Sequence, residues 1–172
     1  MSNLEKRAKI FAIRRHDSIG QVRKYSGEPY WHHPVAVAEL VKSVAHTPEM
    51  VAAAFLHDVV EDTPCTIEEI EDEFGPLVAL YVRWLTDVSK PEDGNREARK
   101  LIDRQHTADA PRPVKTIKLA DLIDNSKSIL ARDPDFARVY LKEKRLLLDE
   151  ALKEGDATLW KIADEICREA DA

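Results

Sequence analysis

Glycine is scarce in this chain, five residues in 172, and cysteine scarcer, at two. With so few glycines between long periodic segments, the coarse reading is all-α. Cys65 and Cys167 lie far apart and without CxxC spacing. That argues against a disulfide framework or a structural zinc site and fits a reducing cytoplasm. No stretch approaches the roughly 20 apolar residues of a membrane span. The run Ala8–Ile13 is too short and too interrupted for a signal peptide. A basic excess is also missing: 26 Lys and Arg against 32 Asp and Glu give a net charge of −6. This disfavours nucleic acid as a partner, which needs a broad basic field, but leaves room for a locally basic pocket and a small anion.

What is present is 44% hydrophobic and 34% charged, the balance of a globular chain. At this length we expect one domain, 1–172, a helical bundle. The first helix should cover about Asn3 to Arg15, followed by a polar loop from His16 to Tyr30. Pro34 suits the first turn of a second helix running to Val44. Thr47-Pro48-Glu49 supplies a cap, a proline and an acid to open a third helix, which should run on through His57 and Asp58 until Pro64. Thr66–Glu69 is a capping-box pattern for a short helix to Phe74, and Gly75-Pro76 starts another through Val88. Further helices are expected over Asn95–Thr107, Val114–Ala131, from the cap Asp133-Pro134-Asp135 to about Lys153, and through Ala170 after Gly155-Asp156. No repeat, low-complexity tract or linker separates them.

The buried-looking third helix ends in charge: Leu56-His57-Asp58-Val59-Val60-Glu61-Asp62-Thr63. Burying charge is costly unless it is paired or bound to metal. In a continuous helix His57 and Glu61, and likewise Asp58 and Asp62, are i,i+4 and stack on one face. The pair His32-His33 precedes Pro34, and Lys118–Asn125 places Asp121 and Asn125 at i,i+4 in an otherwise apolar helix. Each has a bland alternative: His33 as a cap, Asp121 as the partner of Lys118. Together His33, His57, Asp58 and Asp121 make a two-histidine, two-carboxylate set suited to Mn²⁺, Fe²⁺ or Zn²⁺.

The order H…HD…D resembles the HD-domain metal-dependent phosphohydrolases. Gly20–Lys24, Gly27–Pro34, Leu56–Thr63, Leu85–Asp87 and Lys118–Asp121 with Asn125 resemble the RelA/SpoT hydrolase domain in particular. The resemblance covers a core of about 20–130, and helices over 133–170 would pack on it. It implies a single-domain HD bundle in the cytoplasm that removes the 3′-pyrophosphate of (p)ppGpp with Mn²⁺. By position it implies His33, His57, Asp58 and Asp121 as metal ligands, with His32 a flanking residue. Glu61 and Asp62 match the acids that handle the attacking water and the leaving 3′-oxygen, with the division between them open. Arg23 and Lys24 match contacts to base and phosphate, Asn125 a contact to the ribose or its phosphate, and Ser128 a small polar position. Lys118 faces either the 5′ phosphates or an acid. Thr86-Asp87 reads as a helix ending, and Tyr30 and Trp31 as core aromatics.

The chain departs from that pattern near the nucleotide: a longer stretch from His16 to Gln21, an extra Tyr25, and Asp124 beside Asn125. These changes leave guanine and adenine alarmones, and nucleotides such as NADPH, all open as substrates. A nucleotide-binding module without catalysis is the competing class, and a homo-oligomer is compatible with everything above.

Overall fold

In the computed structural model, which describes residues 1–169, the chain is all-α, as the periodicity predicts; the expected last residue Ala170 lies outside the described residues. It divides into two compact units, residues 1–86 and 87–172. No described helix is long and apolar enough to cross a membrane.

In the first unit, α1 (Asn3–Ser18) opens on a capping box. Ser2 Oγ accepts from the Glu5 N–H, and the Glu5 carboxylate accepts from the Ser2 N–H. Ala8, Ala12 and His16 repeat every four residues on its buried stripe. That stripe carries the helix one turn beyond the expected Arg15, so His16 belongs to the helix and not to the loop. The segment after it is a small pinned hairpin. Val22 and Pro29 form an antiparallel bridge, Arg23 N–H donates to Glu28 O at 2.8 Å, and Gly27 makes the turn at a φ of 69°.

The hairpin leads into α2 (His32–Lys42), and Thr47 caps α3 (Pro48–Leu56), accepting from the Met50 N–H. Residues Met50 to Leu56 of α3 are all buried, so this helix is apolar all round and forms the centre of the unit, in contact with α1, α2 and α6. The continuous helix expected from Thr47 until Pro64 is instead two pieces, α3 and α4 (Val59–Asp62), broken at His57-Asp58. The physical reason is local: His57 Nδ1 lies 2.8 Å from Ala54 O, the acceptor that the Asp58 amide would use in an uninterrupted helix. Helical bonding resumes at once, with Asp62 N–H donating to Asp58 O at 2.9 Å. Beyond it, α5 (Ile67–Phe74) begins with the Thr66/Glu69 capping box, and α6 (Pro76–Leu85) ends at Thr86, whose hydroxyl donates to Val82 O.

The second unit holds α7 (Arg96–Ala108), α8 (Arg112–Arg132), α9 (Pro134–Ala151) and α10 (Ala157–Glu169). Both α9 and α10 pack on α8, and on each other. Arg96 reaches Glu143, and Arg104 reaches Glu150, from α7 to α9. The turn into α10 presses onto α8. A Cβ on Gly155 would stand 2.6 Å from Leu119 Cδ1 and 3.3 Å from the Lys115 carbonyl carbon, so any side chain there would force Leu119 to move. Asp156 N–H then donates to Thr116 Oγ1 at 3.0 Å.

Candidate metal centre

Three donor atoms converge in the first unit. His33 sits in the first turn of α2 and His57 at the end of α3, each 1% exposed, and Asp58 follows, half-buried. Asp58 Oδ2 is 3.0 Å from His57 Nε2 and 3.6 Å from His33 Nε2. One ligand atom from each residue lies within 4.8 Å of the other two. The His57 ring is oriented from behind, because a nitrogen 2.8 Å from a carbonyl oxygen must donate, and that nitrogen is Nδ1. Nε2 therefore faces a carboxylate oxygen at 3.0 Å. Two lone pairs at that distance repel, so either a proton or a cation shared by both groups belongs between them. The donor set, two imidazoles and a carboxylate, fits a divalent transition ion.

Asp58 is held from the other side by the hairpin. Tyr30 Oη donates to Asp58 Oδ2 at 2.6 Å, and its ring lies between those of His16 and His33, at 4.9 and 5.8 Å. A side chain expected to fill the core thus orients a carboxylate of the candidate metal centre. Trp31, the other expected core aromatic, is half-buried and lies against the flanking His32 at 4.2 Å. The acids of α4 differ from each other. Glu61 is exposed, whereas Asp62 is half-buried and accepts from Gln21 Nε2 at 2.9 Å. Burial pushes the Asp62 carboxyl above its ordinary range; the Gln21 hydrogen bond opposes the shift and the Asp58 charge adds to it. Arg23 and Lys24 sit in the hairpin, the first half-buried, the second exposed with its ammonium 4.9 Å from the Tyr25 ring centre.

The second unit assembles the remaining candidates on α8. Asp121 is buried and accepts from Asn125 Nδ2 at 2.8 Å, while Lys118 Nζ lies 3.4 Å from its Oδ2. Lys118 therefore pairs with the acid one turn on, the second of its two expected roles. Ser128 is half-buried; the fully buried serine of this helix is Ser126.

Gln21 and His16 had no role from the sequence, and Tyr30 only that of a core aromatic. The only pointer was position: Gln21 and Tyr30 stand inside the motif stretches that contain the expected ligands and contacts.

A family model described as "HD domain" matches residues 8–144. The chain is 35% identical over 169 residues to the guanosine-3′,5′-bis(diphosphate) 3′-pyrophosphohydrolase of Aquifex aeolicus, covering 93% of this chain and 22% of that protein. It is 34% identical over 111 residues to the protein of that name in Danio rerio, covering 63% of this chain and 60% of that one. The chain thus spans about a fifth of the bacterial relative. A solved structure described as "A metazoan ortholog of SpoT hydrolyzes ppGpp and plays a role in starvation responses" matches with a TM-score of 0.86 and 29% identity, covering 98% of this chain and 96% of the other.

Proposed function

The chain belongs to the HD-domain family, and we propose that it is a metal-dependent phosphohydrolase that removes the 3′-pyrophosphate of an alarmone nucleotide of the ppGpp type. The convergence of His33, His57 and Asp58 beside the acids of α4 carries this reading. The names of the Aquifex and Danio relatives and the description of the metazoan structure support the substrate class. His33, His57 and Asp58 would hold the ion, with Mn²⁺ proposed and Fe²⁺ or Zn²⁺ as alternatives; Asp121 is assigned to it on motif order alone. When bound, such an ion polarises phosphoryl oxygens and acidifies a water.

This chain's own residues do the rest. Glu61, exposed on α4, takes a proton from the attacking water. Water oxygen joins the 3′-phosphorus, the bond from that phosphorus to the 3′-oxygen breaks, and Asp62 delivers the proton the 3′-oxygen needs. The products are a nucleoside 5′-diphosphate, or triphosphate, and pyrophosphate. Arg23 and Lys24 would meet base and phosphate, Asn125 and Ser128 the sugar side, and Lys118 a phosphate when its pairing with Asp121 opens. We read residues 1–172 as one HD domain, because the family model runs across the boundary between the compact units. The two buried free cysteines fit a cytoplasmic location.

The test is a product assay with Mn²⁺ across ppGpp, pppGpp, ppApp and NADPH. Release of pyrophosphate from an alarmone is the expected result. Release of monophosphate from NADPH alone would replace the substrate, and no release from any of the four would overturn the activity.

A further inference from the structure

The hairpin after α1 does more than orient Asp58. Gln21 donates through Nε2 to Asp62 Oδ2, across 41 residues of sequence, at 2.9 Å. Oδ2 accepts here, which leaves Oδ1 to carry the proton that Asp62 delivers, so the amide nitrogen of Gln21 must face Oδ2 and its Oε1 turns the other way. It meets His16 Nδ1 at 2.7 Å. That nitrogen must carry a proton; His16 is 0% exposed, and its Nε2 has no hydrogen-bond partner among the described residues. An apolar side chain would fill the same place without burying an unsatisfied nitrogen. The histidine is therefore explained by what its other nitrogen does.

The root of Gln21 is equally constrained. Its N–H donates to His16 O at 3.2 Å, and its carbonyl accepts from the Tyr30 N–H at 3.0 Å. Asp62, by contrast, is the last residue of a helix of four, half-open to solvent, with little of its own element to fix its rotamer.

We propose that His16 and Gln21 are positioning residues that lock the Asp62 carboxylate through Oδ2, so that Oδ1 is presented to the reacting groups. The inference rests on the hydrolase reading above. The two residues act through Asp62, and neither is one of the three converging donors.

Gln21→Met keeps the length of the side chain and removes both hydrogen bonds. It should lower kcat by roughly 10–100-fold, the worth of the two hydrogen bonds it removes, with KM and bound metal unchanged. His16→Asn places an amide nitrogen where Nδ1 stands and should hold kcat within about threefold of wild type, whereas His16→Leu should fall to the Gln21→Met level. A purely structural role would make the losses follow thermal stability and would not separate Asn from Leu. Wild-type kcat in Gln21→Met, or a loss confined to KM or metal content, overturns the proposal. The ¹⁵N shifts of His16 give a readout independent of substrate: the Nδ1–H tautomer supports the brace, and the Nε2–H tautomer refutes it. If the shifts show Nδ1–H while no alarmone is hydrolysed, the brace stands and the hydrolase reading falls.

Discussion

Tyr30→Phe isolates a single atom of the candidate metal centre. The ring that packs 4.9 Å from His16 and 5.8 Å from His33 is kept, and only the hydroxyl 2.6 Å from Asp58 Oδ2 is lost. A hydrogen bond to a charged group is worth about 1.5–3 kcal/mol, and 1.4 kcal/mol is a factor of ten, so the expected effect is about tenfold to a hundredfold. It should fall on the ion, because Oδ2 is also the oxygen facing both histidine nitrogens. Second-layer partners of metal ligands have effects of that size on affinity. The assay is a calorimetric titration of metal-stripped protein with Mn²⁺, run on wild type and variant at one pH, with circular dichroism to show that both are folded. A weakening of Kd of about 10–100-fold is the result expected. An unchanged Kd in a folded variant would show that Asp58 does not bind the ion through the oxygen Tyr30 holds, and the centre as built above would fail.

Other changes test separate parts of the molecule. Glu61→Gln should cut turnover by roughly 10²–10⁴-fold while sparing metal and substrate binding, read by steady-state kinetics and calorimetry; wild-type turnover would remove Glu61 from the mechanism. Gly155→Ala should destabilise the chain by about 1–3 kcal/mol, because the new methyl would displace Leu119 from a fully buried position; urea unfolding measures it. Lys144 is half-buried, and its ammonium is pushed down to about 8, by burial first and the Lys118 charge second. The unfolded chain thus holds the extra proton between about pH 8 and pH 10, so stability should rise with pH through that window. Lys144→Met should flatten the rise and raise stability at pH 7 by on the order of 1 kcal/mol, after allowance for solvent screening at a half-open site. A Tm that is flat with pH in the wild type would contradict it.

The helix starts were legible because their causes are local. Thr47-Pro48, Thr66 with Glu69, and Asp133 each satisfy an amide within three residues, and each stands where its pattern placed it. The apolar run ending at Leu56 likewise had to be an interior helix. The break at His57-Asp58 was not legible, since helical spacing does not reveal that an imidazole will take the Ala54 carbonyl. His16 was read as loop because its stripe partners, Ala8 and Ala12, mark a face only weakly. The bonds of Gln21 to Asp62 and of Tyr30 to Asp58 span 41 and 28 residues, and no short-range pattern reports a contact of that reach. The division at residues 86 and 87 left no compositional trace either: Thr86 reads simply as the end of a helix, which it is.

Cysteine scarcity has a practical consequence. One thiol, Cys65, is 3% exposed in the first unit, and the other, Cys167, is 2% exposed in the second. Burial raises both above the ordinary thiol range, Cys65 to about 11, so neither is a ready nucleophile in the native state. Alkylation must then wait for the surrounding helices to open. Because each unit holds one reporter, peptide mass mapping of the alkylated protein times the opening of residues 1–86 and 87–172 separately, and no residue need be replaced to install the probe.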